Sequence, residues 1–224
     1  MTAADTSGHT GADYVVIVAV QDASRAKSRL GAGLDAGMRR SLVIAMLDDL
    51  LSAVREVWRG RVVVVSADAV YDPIARDHGA QVIRDGGTGY NEAVTMALEA
   101  VGGAEAALVL PGDLPHATPT AIATLLNALE EPGVSVLAAD DGGTLALGLT
   151  PPDVILPAFG PDSAQRHIQA GHAAGVRTSL GRLPDLRHDV DTLEDLARVW
   201  DRVGEATTAL LEHLPLPVNG ARDD

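Results

Sequence analysis

The chain has 224 residues, 46% of them hydrophobic, which is ample for the core of one domain. A formal charge of −14 argues against nucleic acid as a partner, because duplex binding relies on basic side chains displacing counterions. The absence of cysteine excludes disulfides, thiolate metal sites and thiol nucleophiles and fits a reducing cytoplasm.

Residues 1–13 are polar and lack both a basic flank and an apolar core, so they are not a secretory signal. They are expected to form a disordered tail, followed by a single domain over 14–213 and a flexible C-terminal tail over 214–224. No apolar run approaches the roughly 18 residues that cross a bilayer, so no membrane partner is expected.

Tyr14 to Val20 is a continuous, largely β-branched run, the pattern of a strand buried on both faces. The polar loop that follows carries Arg25, Lys27 and Arg29, where the phosphates of a nucleotide lie in a doubly wound fold. Lys27 is the only lysine beside sixteen arginines, and a compact ammonium suits a phosphate as a point charge. A solvated basic loop is the plainer alternative.

From Asp35, apolar residues at helical spacing predict a long helix that Gly60 closes. A strand over Arg61–Ser66, a helix from Asp72-Pro73 to His78 and a strand over Ala80–Arg84 follow. Asp85-Gly-Gly-Thr-Gly-Tyr-Asn91 then sets three glycines before a helix beginning near Asn91, where backbone can approach a ligand closely, although such loops are often ordinary turns.

The apolar run Leu108-Val-Leu-Pro111 stops at Gly112-Asp113 and reads as a buried strand that delivers a carboxylate to the sheet edge, where ligands bind in open α/β sheets. A turn acid is the alternative reading of Asp113. Thr118-Pro119 opens a helix to about Glu131, and Val134–Ala139 and Leu145–Leu149 are strands around the loop Asp140 to Thr144.

Phe159-Gly-Pro-Asp-Ser163 leads into a helix through Ala174, with Asp162 as N-cap and Ser163 at a helix start that attracts anions, a plain capping turn being the competing reading. Asp189 and Asp191 are two apart, so in an extended segment they project to one side and can converge on a cation with Asp113. Thr192 to Asp195 resembles a capping box entering a last helix. His167 and His172, five apart, do not match a zinc pair on one helix face. His78 and His172 read as surface residues, and His167 and His188 as supports behind a site. Alternating strands and helices predict an α/β fold with a mainly parallel mixed sheet flanked by helices.

Ala26-Lys-Ser-Arg-Leu30, Gly89-Tyr-Asn91, Gly112-Asp-Leu-Pro115, Asp141-Gly-Gly-Thr144, Phe159 to Ser163, Arg166-His167 and Asp189-Val-Asp-Thr192 occur in an order that resembles the 2-phospho-L-lactate or phosphoenolpyruvate guanylyltransferases of coenzyme F(420) biosynthesis, over roughly Val15 to Leu196. The resemblance implies a nucleotide-diphospho-sugar transferase fold and Mg²⁺-dependent transfer of GMP from GTP to a small phosphorylated acid, with release of pyrophosphate and a downstream ligase or transferase that takes the product.

Carried over, Asp113, Asp189 and Asp191 hold the metal, and Thr144, Gly160 and Ser163 receive the acid. Lys27 and Arg29 take the triphosphate, with Lys27 also serving catalysis, and Gly89 and Asn91 lie near the nucleotide. Four positions depart from the family: Gln21 stands for its usual lysine and Tyr90 for its leucine, while Leu145 and Thr150 stand where some relatives carry an asparagine and an arginine. Leu145 and Thr150 would leave the acid pocket less polar and favour phosphoenolpyruvate. The competing readings are a cytidylyltransferase or glycosyltransferase of the same fold, or a nucleotide sensor without turnover. Gln21-Asp-Ala-Ser-Arg25 lacks the glycine pair of the cytidylyltransferase loop.

Overall fold

The computed structural model describes residues 13–21, 34–114, 117–129, 131–183, 186 and 202–213. Its framework is a seven-stranded sheet in the order β3-β2-β1-β4-β6-β5-β7. The strands are β1 (Tyr14–Ala19), β2 (Arg61–Val65), β3 (Gln81–Ile83), β4 (Ala106–Pro111), β5 (Gly133–Ala138), β6 (Thr144–Thr150) and β7 (Thr178–Gly181). The first four run parallel, β6 is antiparallel to both neighbours, and β7 is parallel to β5. This is the mixed, mainly parallel sheet that the alternation of elements predicts.

The helices are α1 (Ala36–Val57), α2 (Asp72–Asp77), α3 (Tyr90–Ala100), α4 (Pro119–Asn127), α5 (Ser163–Ala173) and α6 (Glu205–Leu211). Side chains alternate along a strand, so each central strand feeds two cores. Val16, Val18, Val62, Val64, Leu108 and Leu110 pack with buried residues of α1, α2 and α4. Val15, Ile17, Val63, Val65, Ala107 and Val109 pack with α3 and α5 on the other face. Burial on both faces is why these strands are unbroken apolar runs.

The caps follow the sequence where the partner is local. Asp35 accepts from the Met38 amide at 2.8 Å, and Thr118 from the Ala121 amide at 3.2 Å. Asp162 occupies the N-cap position of α5 with a left-handed φ of 53°, and its side chain makes no capping bond, contrary to expectation. Helix α4 ends at Asn127, short of the expected Glu131, and β3 has only three residues.

Helix α6 is capped from a distance: the Asp49 carboxylate on α1 accepts from the amides of Ala206 at 2.8 Å and Thr207 at 2.9 Å. Gly204 permits that approach, since a Cβ there would stand 2.2 Å from Asp49 Cγ. The expected helix entry at Thr192 to Asp195 lies outside the described residues, as do the two expected tails apart from Asp13.

Candidate active site

The carboxyl ends of β1, β2, β3 and β4 share one edge of the sheet, and because β6 runs antiparallel to β4, its first residue, Thr144, reaches the same edge. The strand order therefore sets the loop after β3, the end of β1 at Val20 and Gln21, then Asp113 after β4, then Thr144, in a row along that edge.

Asp113 is half-buried at the end of β4. The glycine before it is a packing requirement. The Gly112 amide extends the β1 ladder by donating to the Ala19 carbonyl at 2.9 Å, and a Cβ on Gly112 would lie 2.6 Å from a Val20 methyl. Among the described residues no three acidic or histidine side chains gather as a metal cluster. Asp189 and Asp191, expected to complete the metal set, lie outside the described residues, and so do Lys27, Arg29 and His188.

On one side of Asp113, Ala19, Val20, Gln21, Ala67, Asp85, Gly87, Gly89, Tyr90 and Ala93 enclose a cavity of about 220 Å³. Gly89 opens α3 without a side-chain cap. The Tyr90 hydroxyl is buried with no hydrogen-bond partner among the described residues. Burial, and secondarily the nearby charge of Asp113, push this phenol far above its usual range. Tyr90 and Asp113 thus lie within electrostatic reach.

On the other side, Thr144, Ser163 and His167 form a buried chain of hydrogen bonds. His167 Nε2 accepts from the Ala158 amide at 2.9 Å, which leaves the proton of the neutral ring on Nδ1. Nδ1 then donates to Thr144 Oγ1 at 3.1 Å, and the Thr144 and Ser163 hydroxyls share a hydrogen bond at 2.9 Å. Burial, and secondarily Arg166, lower the His167 pKa to about 4, so the ring is neutral near pH 7.

Ser163 is 0% exposed and Thr144 9%. The Ser163 and Ala164 amides donate to Gly160 and Gly142 carbonyls, so the first two amides of α5, expected to attract an anion, already have acceptors within the protein.

The segment from Ala158 to Pro161, which carries Gly160, is fixed from three directions. Asn91 donates Nδ2 to the Phe159 carbonyl and accepts from its amide. Arg166 donates to the carbonyls of Ala158 and Pro161, and His167 holds the Ala158 amide. The Phe159 ring stands edge-on between Tyr90 and His167, each 5.1 Å away between centroids. The side chain of Asn91, expected near the nucleotide, therefore bonds to the backbone of the Gly160 segment.

Two expected acid-pocket determinants do not sit in a pocket with Thr144. Leu145 is buried in the α1 and α4 core. Thr150 is at the far end of β6, about 20 Å away at strand rise, with its hydroxyl on the Leu129 carbonyl. His78 is also less of a surface residue than expected, being paired with Asp48 at 2.6 Å.

The seven-stranded mixed sheet in this strand order, flanked by helices, defines a class of protein, the nucleotide-diphospho-sugar transferase fold. The structure matches a protein from Desulfovibrio desulfuricans G20 described as a nucleotide-diphospho-sugar transferase, with a TM-score of 0.73 at 19% identity, covering 90% of this chain and 94% of that one. At that identity the likeness establishes the fold alone.

Sequence narrows the class: the chain belongs to the guanylyl transferase CofC-like family, whose model matches residues 14–220. A phosphoenolpyruvate guanylyltransferase from Roseiflexus sp. (strain RS-1) is 36% identical over 207 residues, covering 92% of this chain and 93% of that protein. One from Rubrobacter xylanophilus is 41% identical over 189 residues, covering 82% and 91% respectively. The resemblance read from the order of the motifs is thereby established, in preference to the cytidylyltransferase and glycosyltransferase readings.

Proposed function

We propose that this chain transfers GMP from GTP to phosphoenolpyruvate and releases pyrophosphate, as a step of coenzyme F(420) biosynthesis in the cytoplasm, its product passing to a downstream ligase or transferase. The carrying observation is the row along the sheet edge: a cavity beyond β1 and β3, the Asp113 carboxylate after β4, and the Thr144 network at the start of β6. A nucleotide laid along that row has its α-phosphate at Asp113, between its base and the acceptor.

A phosphate oxygen of the acid attacks the α-phosphorus of GTP, a P–O bond forms, and the bond to the β-phosphate oxygen breaks as pyrophosphate leaves. The attacking phosphate is already ionised near pH 7, so no protein base is required. The protein's task is positioning and charge neutralisation. Asp113 fits a Mg²⁺ site, being a hard oxygen donor on a half-exposed edge, and magnesium is commonly held by one or two carboxylates plus substrate phosphates. Asp189 and Asp191 would complete it. The ion, when bound, neutralises charge on the phosphates.

Lys27 and Arg29 would meet the triphosphate, with Gly89 beside the nucleotide. The acid would rest on Gly160 and Thr144. Ser163, buried and bonded to the Thr144 hydroxyl, would support the acid site from behind Thr144.

The test is pyrophosphate release from GTP and magnesium with phosphoenolpyruvate, 2-phospho-L-lactate and 3-phospho-D-glycerate in turn. Phosphoenolpyruvate is expected to give the highest kcat/KM. GTP binding without pyrophosphate from any acid would leave a sensor.

A further inference from the structure

Asp85 stands two residues beyond the end of β3 and lines the cavity with Gln21, Ala67, Gly87 and Gly89. Its Oδ1 is buried and has no hydrogen-bond partner among the described residues. A buried carboxylate oxygen without a protein donor is unfavourable and calls for a donor from outside the protein, a water or a ligand. The cavity is smaller than the roughly 300–1,000 Å³ clefts that enclose a whole drug-sized ligand, as suits one part of a nucleotide. The glycines beside Asp85 let a flat group approach the backbone, and Gly87 has a left-handed φ of 67° that disfavours a side chain.

We propose that this cavity is the guanine pocket and that the Asp85 carboxylate reads the base, accepting hydrogen bonds from N1–H and the 2-amino group. The inference rests on the guanylyl-transfer reading above and adds the residue that selects the nucleotide. Guanine alone among the common bases presents two adjacent donors to a carboxylate. Adenine offers an acceptor at N1, cytosine an acceptor at N3, and uracil a single donor between two carbonyls.

The sheet decides between base and ribose. Three strand spacings separate β3 from β4, about 14 Å at the usual inter-strand distance. Ribose hydroxyls lie within a few bonds of the α-phosphorus, whereas the Watson–Crick edge is the part of the nucleotide farthest from it. With the α-phosphate at Asp113, the ribose crosses the β1 side of the cavity near Val20 and Gln21, and the base edge reaches Asp85 on its β3 side.

The experiment is equilibrium binding of GTP, ITP, XTP and 2′-deoxy-GTP to the full chain and to Asp85→Asn. Inosine lacks the 2-amino group, so the wild-type chain is expected to bind ITP about tenfold more weakly than GTP. Xanthine carries a carbonyl at that position, which repels a carboxylate and accepts from an amide. Asp85→Asn is therefore expected to lose about 30-fold or more in GTP affinity, to gain affinity for XTP, and to reverse the preference.

Equal wild-type affinity for GTP and ITP would overturn the proposal even if Asp85→Asn did not fold. So would a uniform loss for all purine nucleotides in that variant, or a penalty for 2′-deoxy-GTP in the wild-type chain that disappears in Asp85→Asn, which would put Asp85 on the ribose. None of these readouts requires an acceptor or turnover, so they are separable from the pyrophosphate assay that tests the reaction.

Discussion

Asn91 and Phe159 are 68 residues apart, yet the Asn91 amide bonds to both backbone polar groups of Phe159, donating to its carbonyl at 3.1 Å and accepting from its amide at 2.7 Å. The first turn of α3, beside the cavity that Asp85 lines, thereby fixes the segment that carries Gly160.

Asn91→Ala removes both bonds and leaves two backbone groups to find water. A loss of about 1–3 kcal/mol in stability is expected, together with a larger rise in KM for the acid than for GTP. Steady-state kinetics with each substrate varied in turn would check this. A rise confined to GTP would return Asn91 to the nucleotide side.

Much of the frame around that contact is legible in the sequence, because β1, β2 and β4 are buried on both faces and so are written as unbroken apolar runs. The end of β4 at Gly112-Asp113 is legible for the same reason. Strand β7 is not legible in the sequence, since Thr178–Gly181 is mostly exposed and too polar to stand out as a strand. The placing of Thr150 with Leu145 in an acid pocket fails because β6 carries Thr150 to the opposite end of the sheet. Asn91 with Phe159 and Asp49 with α6 are contacts between distant segments, and no local pattern announces them. Asp85 is visible only as the first residue of a glycine loop until its buried oxygen, without a partner among the described residues, is seen.

Asp49 is the N-terminal cap of α6, and the contact is tight because Gly204 has no side chain. Asp49→Ala is expected to cost about 1–2 kcal/mol, and Gly204→Ala to cost a similar amount by forcing the carboxylate away. At about 2–4 °C per kcal/mol for a chain of this size, each should lower Tm measurably. If the two changes are additive in the double variant, they do not act on the same contact.

Tyr90 carries a buried hydroxyl with no partner among the described residues. Removing such a group relieves the desolvation penalty of an unmade bond, about 1–3 kcal/mol. Tyr90→Phe is therefore expected to raise Tm while keeping the edge-on contact with Phe159. A fall in Tm would mean that the hydroxyl is hydrogen-bonded in solution.

Asp113→Asn keeps the shape of the side chain and removes the charge that magnesium prefers in its ligands. Turnover is expected to fall by well over tenfold, with the melting temperature near that of the parent. Activity within about tenfold, a barrier change of only about 1.4 kcal/mol, would mean that Asp113 is not a metal ligand.

His167 gives the chain a dependence on pH whose sign follows from its lowered pKa. The folded ring, buried and bonded as a neutral acceptor to the Ala158 amide, takes up a proton only at about pH 4, against 6.5 for an ordinary histidine. Above pH 6.5 neither the folded nor the unfolded chain holds that proton, and the full stability is present. As the pH falls through 6.5 the unfolded chain binds a proton that the folded chain refuses, so stability declines until about pH 4 and then levels off for this group. The gap corresponds to about 3 kcal/mol. Carboxylates also titrate near the lower end, so the test is a comparison. The denaturation free energy of the parent and of His167→Asn, measured from pH 7 to pH 4, should differ in slope by about that amount, the variant being less stable at pH 7 and less sensitive to acid. Parallel curves would mean that the folded ring titrates like a free histidine, and that the Thr144 and Ser163 hydroxyls are not ordered by a neutral imidazole.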